Sequence, residues 1–179
     1  ARHLIDSEPF AVILPDDLVL SAIPCLTQMV SVHGEQGGRG NLLAVMDVHR
    51  QHTGRYGILI PGEVHNRLIE VKGLVEKPKP LEAPSQLAII GRYILQPQVL
   101  NQLGIQRRDV NGEIQLTDAM SSLLGETTFY GFRFEGKRYD CGDKVGFLEA
   151  NMAYALAREE LQEDVAAAVL RVAHSIEST

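Results

Sequence analysis

Short apolar runs that alternate with segments of helical spacing constrain the fold of this chain more than any other sequence feature. Three such runs are FAVIL at 10–14, LLAVMDV at 42–48 and LAIIGRYIL at 87–95. Continuous apolar runs of this length are typical of strands, and we expect FAVIL to be a central strand covered on both faces. Segments with helical patterns lie between the first two runs, at 25–33, and after the third, at 96–103 and 113–124. The alternation predicts an α/β fold.

A predicted hairpin makes the sheet mixed. Residues 55–61 and 66–78 alternate polar and apolar side chains, and the short segment GEVH joins them. This pattern is typical of two adjacent antiparallel strands. We therefore expect a mixed, largely parallel sheet flanked by helices, in a single domain that spans 1–179. The helical pattern after Asp143, a plausible N-cap, predicts a C-terminal helical extension over 159–179.

Charge and composition exclude several classes of protein. The net charge is −6 and no cluster of Lys and Arg stands out, which argues against a nucleic-acid partner. No apolar run approaches the length of a membrane span, and no signal-peptide pattern opens the chain, so we expect no membrane partner. Cys25 and Cys141 lie far apart without metal-binding spacing. Reduced thiols and a cytoplasmic location are the simplest interpretation.

Two adjacent carboxylates, Asp16 and Asp17, follow the FAVIL run and Pro15. Ligands of open α/β sheets gather at the carboxyl ends of strands, where one carboxylate can hold Mg²⁺ together with waters and phosphate oxygens. The alternative is that one aspartate caps a helix or faces water. We favour Asp16 as the metal ligand, with Asp17 as a supporting or solvent-facing neighbour.

The segment KRYDCGDK at 137–144 offers a second carboxylate. Asp140 follows a predicted strand, and Gly142 allows a sharp turn before the next helix. Asp143 is better explained as the cap of that helix. This leaves Asp140 as the ligand candidate, since carboxylates from two strand ends can bind one cation.

Glu76 and Lys77 stand side by side in LVEKPKP. Adjacent side chains of a regular strand point to opposite faces, so the two share a ligand only where the strand ends or twists. Pro78 ends the strand pairing and biases Lys77 towards an extended conformation. Glu76 could accept hydrogen bonds from sugar hydroxyls, and Lys77 could bind a phosphate. The alternative is a solvated ion pair on a loop.

Several motifs in a fixed order resemble those of the bacterial UTP–glucose-1-phosphate uridylyltransferases. The resemblance runs from about Glu8 to about Ala157 and rests on EPFAVILPDDLV, RYGI, GLVEKPKPLEAPSQLAIIGRYIL, GEIQLTDAM and GKRYDCGDKVGFLEANMAYAL. It implies a Rossmann-like nucleotide-diphospho-sugar transferase fold. Members of the family form UDP-glucose and pyrophosphate from UTP and glucose 1-phosphate with Mg²⁺, and they commonly form homo-oligomers.

The resemblance also implies individual roles. The sugar phosphate attacks the α-phosphorus of UTP directly, so catalysis is mostly positioning and charge neutralisation, and no protein nucleophile is required. The catalytic group comprises two metal ligands and one phosphate-binding residue: Asp16, Asp140 and Lys77. The substrate-binding group comprises the residue on the sugar hydroxyls, the residue on the sugar phosphate and two glycines that line the sugar pocket: Glu76, Lys77, Gly57 and Gly91.

The chain also departs from the family pattern. It has no G-x-G-T-R segment, no lysine-bearing stretch after it and no uracil-recognising residues, and Gln86 stands where the family usually has Asn. We therefore expect an N-terminally truncated, C-terminal portion that is inactive by itself. The alternatives are a non-catalytic sugar-phosphate-binding or assembly module, or a nucleotidyltransferase for another nucleotide and sugar.

Overall fold

The computed structural model describes residues 2–5, 7–106, 112 and 114–177. Its strands are β1 (Phe10–Ile13), β2 (Asp17–Leu20), β3 (Asn41–Asp47), β4 (Gly57–His65), β5 (Leu68–Glu76), β6 (Leu87–Leu95), β7 (Phe129–Arg133) and β8 (Lys137–Asp140). Its α-helices are α1 (Cys25–Glu35), α2 (Gln98–Ile105), α3 (Leu116–Ser122), α4 (Lys144–Leu156) and α5 (Glu159–Glu177). The predicted helices are confirmed, although Glu113, where one was expected to begin, lies outside the described residues.

The chain divides into two compact units. The first contains Ala1–Leu14 and Ile23–Glu135, and the second contains Pro15–Ala22 and Gly136–Thr179. Helix α5 begins at Glu159, the residue at which the C-terminal helical extension was predicted to start. The single-domain organisation itself stays a prediction.

A mixed sheet forms the first unit, in the strand order β1-β6-β3-β7-β5-β4. Strand β6 is buried along its whole length, as its continuous apolar sequence predicts. The α/β class and the mixed sheet are confirmed. The parallel share is smaller than predicted, because among the described strands of this sheet β3 pairs with β7 in parallel and the other pairings are antiparallel.

The prediction that FAVIL forms a central strand covered on both faces is wrong. Strand β1 lies at the end of the strand order, where its described pairing is with β6. Its burial alternates, and Ile13 is 52% exposed. A continuous apolar run therefore does not distinguish a central strand from an edge strand, because the position in the sheet depends on pairing with distant segments.

The predicted hairpin is confirmed as β4 and β5, but its turn lies further along the chain than expected. The segment GEVH belongs to β4, and the turn is made by Asn66 and Arg67 between the paired residues His65 and Leu68. Asn66 has φ 55°, a left-handed conformation that Asn tolerates better than most residues. This register pairs Gly57 with Glu76 at the open end of the hairpin.

The main core of the first unit lies between the sheet and helices α2 and α3. Phe129, Leu43, Leu59 and Met120 are at most 1% exposed and belong to one apolar cluster. The close packing of this cluster fixes the positions of the strand ends that carry the candidate site.

The second unit pairs β2 with β8 in an antiparallel ribbon and adds helices α4 and α5. Strand β2 was not predicted, because its short sequence follows directly from the LPDD turn. Asp143 caps α4 as predicted, since its Oδ1 accepts hydrogen bonds from the backbone N–H groups of Val145 at 2.9 Å and Gly146 at 3.0 Å. Within the described residues, no helix combines the length and the apolar character that a membrane crossing requires.

Candidate functional site

The first group of predicted site residues meets at the open end of the β4–β5 hairpin. Gly57 is the first residue of β4 and lies opposite Glu76, the last residue of β5. A Cβ added to Gly57 would lie 3.2 Å from Oε2 of Glu76. The structure therefore places Gly57 next to Glu76, and the sugar-binding roles that the resemblance implies for them stay predictions.

Lys77 has an unusual backbone conformation directly after β5. Its φ is 44°, a left-handed value that is uncommon for residues other than glycine, and its N–H donates to the carbonyl of Tyr56 at 3.0 Å. The strand ends here, and Nζ of Lys77 lies 3.6 Å from Oε1 of Glu76. This conformation corrects the expectation that Pro78 makes Lys77 extended, and it brings adjacent side chains together. Such backbone strain is found often at functional sites.

Exposure distinguishes the two members of this pair. The Glu76 side chain is 22% exposed and that of Lys77 is 57% exposed. The pair therefore has one partly buried acceptor and one accessible cation. This is compatible with the ligand-binding interpretation and also with the solvated ion pair that was its alternative.

Thr117 also lies next to Gly57, although no sequence pattern indicated this position. It lies in α3, and its Oγ1 would lie 3.1 Å from a Cβ added to Gly57. The motif EIQLTDAM contributed to the resemblance, but nothing in its spacing indicates proximity to Gly57. Only the packing of α3 against β5 and its neighbours brings the two together.

Gly91 lies in the middle of β6, near a shift in the β3–β6 register between Leu43 and Val45. Its carbonyl accepts hydrogen bonds from the N–H of Leu14 at 2.9 Å and from Nη1 of Arg92 at 2.8 Å. The bond from Leu14 links Gly91 to the residue that directly follows β1. Its role in the sugar pocket stays a prediction.

The second group, Asp16 and Asp140, lies in the second unit. Asp16 is in the turn before β2 and Asp140 ends β8, and the N–H of Cys141 donates to the carbonyl of Asp16 at 2.7 Å. A Cβ added to Gly142 would lie 3.2 Å from Oδ1 of Asp140 and 3.4 Å from Oδ2 of Asp16. The two carboxylates therefore lie on the same side of the Gly142 backbone, and their role as two ligands of one cation stays a prediction.

Asp16 and Asp17 differ in their environment, because Asp17 forms an ion pair with Arg138 and Asp16 is exposed. Its Nε donates to Oδ1 of Asp17, and its Nη2 lies 3.4 Å from Oδ2 of Asp140. The side chains of Arg138 and Asp17 are each 10% exposed, so Asp17 supports the site from a buried ion pair and does not face solvent. Asp16 is exposed.

The donor set of Asp16 and Asp140 fits Mg²⁺. Carboxylate oxygens are the hard donors that this ion prefers, and it commonly uses one or two of them with waters and phosphates. Within the described residues, no group of three or more His, Cys, Asp and Glu side chains could hold a metal ion. A cation at this pair would therefore take most of its ligands from water or from a phosphate.

Comparisons with known proteins agree with these motifs. The Nucleotidyl transferase family matches residues 1–157. The UTP–glucose-1-phosphate uridylyltransferase of Komagataeibacter xylinus is 50% identical over 145 residues, which are 81% of this chain and 50% of the relative. A UDP-glucose pyrophosphorylase solved in complex with UDP-glucose is 38% identical with a TM-score of 0.81, over 88% of this chain and 60% of that chain.

A UTP-bound UGPase from Acinetobacter baumannii is 31% identical with a TM-score of 0.81, over 94% of this chain and 58% of that chain. The resemblance to uridylyltransferases is thus confirmed in sequence and in fold. This chain spans 50% to 57% of the length of the first relatives that it matches. Because the family match covers most of the chain, the protein belongs to the nucleotidyl transferase family.

Proposed function

We propose that this chain is part of an enzyme that forms UDP-glucose and pyrophosphate from UTP and glucose 1-phosphate. The observation that carries the proposal is the meeting of Gly57, Glu76 and Lys77 at the end of the β4–β5 hairpin. One similar solved structure is a complex with UDP-glucose and another is bound to UTP, and the K. xylinus relative is a UTP–glucose-1-phosphate uridylyltransferase. These likenesses support the choice of substrates.

The first unit would bind the sugar phosphate. The Glu76 carboxylate accepts hydrogen bonds only, so it suits the donating hydroxyls of a sugar, and its partial burial strengthens such bonds. Lys77 places an accessible ammonium 3.6 Å from that carboxylate, where it would bind the phosphate as a point charge. Together they would orient the phosphate oxygen for in-line attack.

The second unit would hold the cofactor. Asp16 and Asp140 are the residues that would bind Mg²⁺, and Arg138 would keep the Asp140 carboxylate in place. When bound, the ion would supply neutralisation of phosphate charge. Asp17 contributes by pairing with Arg138, which orients the guanidinium that contacts Asp140.

The proposal includes the location and the oligomeric state of the protein. Both cysteines are free, which supports a reducing, cytoplasmic location. The homo-oligomeric state is proposed on the resemblance alone.

Titration calorimetry with glucose 1-phosphate tests the proposal, with UDP-glucose formation from UTP followed in the same samples. We expect glucose 1-phosphate to bind and galactose 1-phosphate to bind more weakly. Turnover would support the full activity and would contradict the expectation that the chain is inactive alone. Binding without turnover supports the sugar-phosphate role. A folded chain with neither binding nor turnover contradicts the proposal.

A further inference from the structure

The chain passes between the two compact units at three crossings, directly after Leu14, directly before Ile23 and directly after Glu135. A buried side chain of the first unit binds the backbone at each crossing. Nη1 of Arg92 donates to the Leu14 carbonyl at 2.9 Å. Nε2 of Gln28 donates to the Ile23 carbonyl at 2.7 Å and to the Glu135 carbonyl at 2.8 Å. Arg92 is 9% exposed and Gln28 is 8% exposed, so both side chains are largely shielded from water.

Every hydrogen-bonding position of the Gln28 amide is occupied. A glutamine amide offers two N–H donors and one oxygen with two lone pairs. Besides the two donated bonds, its Oε1 accepts from the backbone N–H of Glu135 at 2.9 Å and from Nη2 of Arg67 at 2.7 Å. A fully satisfied buried amide favours one arrangement of the segments that it joins, because a displacement leaves a buried polar group unpaired. Gln28 therefore fixes the first-unit side of two crossings at once.

Arg67, in the turn of the β4–β5 hairpin, strengthens the crossing after Glu135. Its Nε donates to the Arg133 carbonyl at 2.6 Å, and its Nη1 donates to Oε1 of Glu135 at 3.0 Å. Its guanidinium lies 4.7 Å from the centre of the Phe132 ring, within the range of a cation–π contact. Helix α1 and the hairpin turn thus both hold the end of β7, directly before the chain leaves the first unit.

Arg92 holds the crossing after Leu14 from strand β6. Its Nη1 donates to the Gly91 carbonyl at 2.8 Å as well as to the Leu14 carbonyl, and the Leu14 N–H donates to the same Gly91 carbonyl at 2.9 Å. Both backbone groups of Leu14 are therefore bonded, although Leu14 lies beyond the last residue of β1. An apolar residue would fill a buried position at lower cost than a guanidinium, which favours a role in fixing the backbone.

We propose that Gln28 and Arg92 are positioning residues for the metal carboxylates Asp16 and Asp140, and that they act through the backbone. Each carboxylate follows a held crossing closely, by two residues for Asp16 and by five for Asp140. A short stretch of chain has few conformations, so fixing its start limits where the carboxylate beyond it can lie. Mg²⁺ demands nearly ideal octahedral geometry, so a displaced carboxylate lowers its affinity. This inference rests on the proposed function, because it takes the two aspartates as ligands of the cation.

Gln28→Met and Arg92→Met test the proposal, because each keeps a long side chain and removes the donors. The probe is MnCl₂, since Mn²⁺ takes the same oxygen ligands as Mg²⁺ and its free form is measured directly by electron paramagnetic resonance. We expect each variant to bind Mn²⁺ about three- to tenfold more weakly, the size of effect that a lost hydrogen bond produces. Arg92→Lys keeps a donor and the charge, so it should bind within about twofold of the unsubstituted chain.

Amide hydrogen exchange gives a second measurement that needs no metal. In Gln28→Met, exchange should be about three- to tenfold faster in the segment that follows Glu135, because its local opening costs less free energy. In Arg92→Met, the same increase should appear in the segment that follows Leu14. Exchange in the buried strand β3 should stay unchanged in both variants.

Asn41→Leu is the matched control for a lost buried amide. Asn41 is 1% exposed, and its side chain bonds to Thr127, Thr128 and Gln96, none of which lies at a crossing. Urea unfolding should show a loss of stability, whereas Mn²⁺ affinity and exchange after the crossings should not change. If either Met variant does not fold, Gln28→Glu takes its place, because a carboxylate still accepts hydrogen bonds but donates none to the two carbonyls.

The outcomes separate this inference from the proposed function. If the Gln28 and Arg92 variants bind Mn²⁺ as tightly as the unsubstituted chain, or if Asn41→Leu weakens binding equally, Gln28 and Arg92 are structural residues only. In that case the proposed function stands and this inference is overturned. If the unsubstituted chain binds no Mn²⁺, or if Asp140→Asn binds it equally well, the proposed metal site fails and this inference fails with it.

Discussion

Asp17 and Asp140 face each other as directly opposed partners of the antiparallel β2–β8 ribbon. Two like charges in this relationship destabilise a sheet unless a cation lies between them. The guanidinium of Arg138 contacts both carboxylates and supplies that cation. This arrangement keeps the Asp140 side chain next to Gly142, where the Asp16 carboxylate also points.

Replacing Arg138 with Met should destabilise the protein strongly. The substitution leaves the Asp17 carboxylate, whose side chain is 10% exposed, without its ion-pair partner. Breaking such a buried pair costs about 3 kcal/mol. Urea unfolding measures the loss, with Arg158→Met as the control, because the Arg158–Glu160 pair is about 60% exposed on both sides. An equal loss in the free energy of unfolding for the two variants would contradict the burial of the Arg138–Asp17 pair.

Replacing Gly146 with Ala should have the opposite effect to replacing Gly34 with Ala. Both glycines lie in helices, but a Cβ at Gly146 would come within 2.1 Å of the Asp140 carbonyl oxygen, whereas nothing lies within 4 Å at Gly34. We expect Gly146→Ala to destabilise by about 2–3 kcal/mol through overpacking. Gly34→Ala should stabilise by about 0.5–1 kcal/mol. Thermal and urea unfolding compare the two, and a neutral Gly146→Ala would contradict the close packing of α4 on β8.

Replacing Lys77 with Ala should weaken glucose 1-phosphate binding at least about tenfold, because a hydrogen bond to a charged group is lost. Lys79→Ala is the matched control, since the Lys79 side chain is 81% exposed and its Nζ lies 3.9 Å from Oε1 of Glu82. Calorimetry measures both variants. Unchanged affinity in Lys77→Ala would refute the phosphate-binding role of Lys77 and favour the solvated ion pair.

Neutralising Asp140 should reduce Mg²⁺ binding. We expect Asp140→Asn to weaken binding about tenfold, because the pair loses one of its two anionic ligands. Asp143→Asn removes a charge from the same segment but keeps an N-cap residue, so its Mg²⁺ affinity should stay unchanged. Calorimetry with MgCl₂ in the presence of a nucleotide gives the comparison. Equal affinities in the two variants would remove Asp140 from the metal site.

The Cys25 thiol should resist alkylation in the folded protein. Burial raises the pKa of Cys25 from 9.0 to about 11, and Arg92 and Arg67 offset only part of this effect. At pH 8 iodoacetamide should therefore modify Cys141, which is partly exposed, well before Cys25. Mass spectrometry follows both sites, and rapid labelling of Cys25 without unfolding would contradict its burial.

The same raised pKa gives a pH dependence of stability. The unfolded thiol ionises first, so this contribution is present in full below about pH 9 and is lost as the pH rises towards 11. Between pH 9 and pH 11, the free energy of unfolding measured with urea should therefore fall less for Cys25→Ala than for the unsubstituted chain.

Local features of the sequence determined much of the candidate site. Strand ends, the Asp143 cap and the Glu76–Lys77 pair follow from proline, carboxylate and apolar patterns within a few residues of each other, and these patterns act through local backbone geometry. The motif order then identified the family. These elements could be predicted because each depends on neighbours in the chain.

Tertiary structure decided what depends on distant segments. The edge position of β1, the pairing of β2 with β8 and the contact of Thr117 with Gly57 all result from the packing of segments far apart in sequence. The left-handed Lys77 donates a hydrogen bond to the carbonyl of Tyr56, the residue directly before β4. Hydrophobic burial and strand pairing are cooperative over the whole unit, and a local pattern does not specify which distant partner it meets.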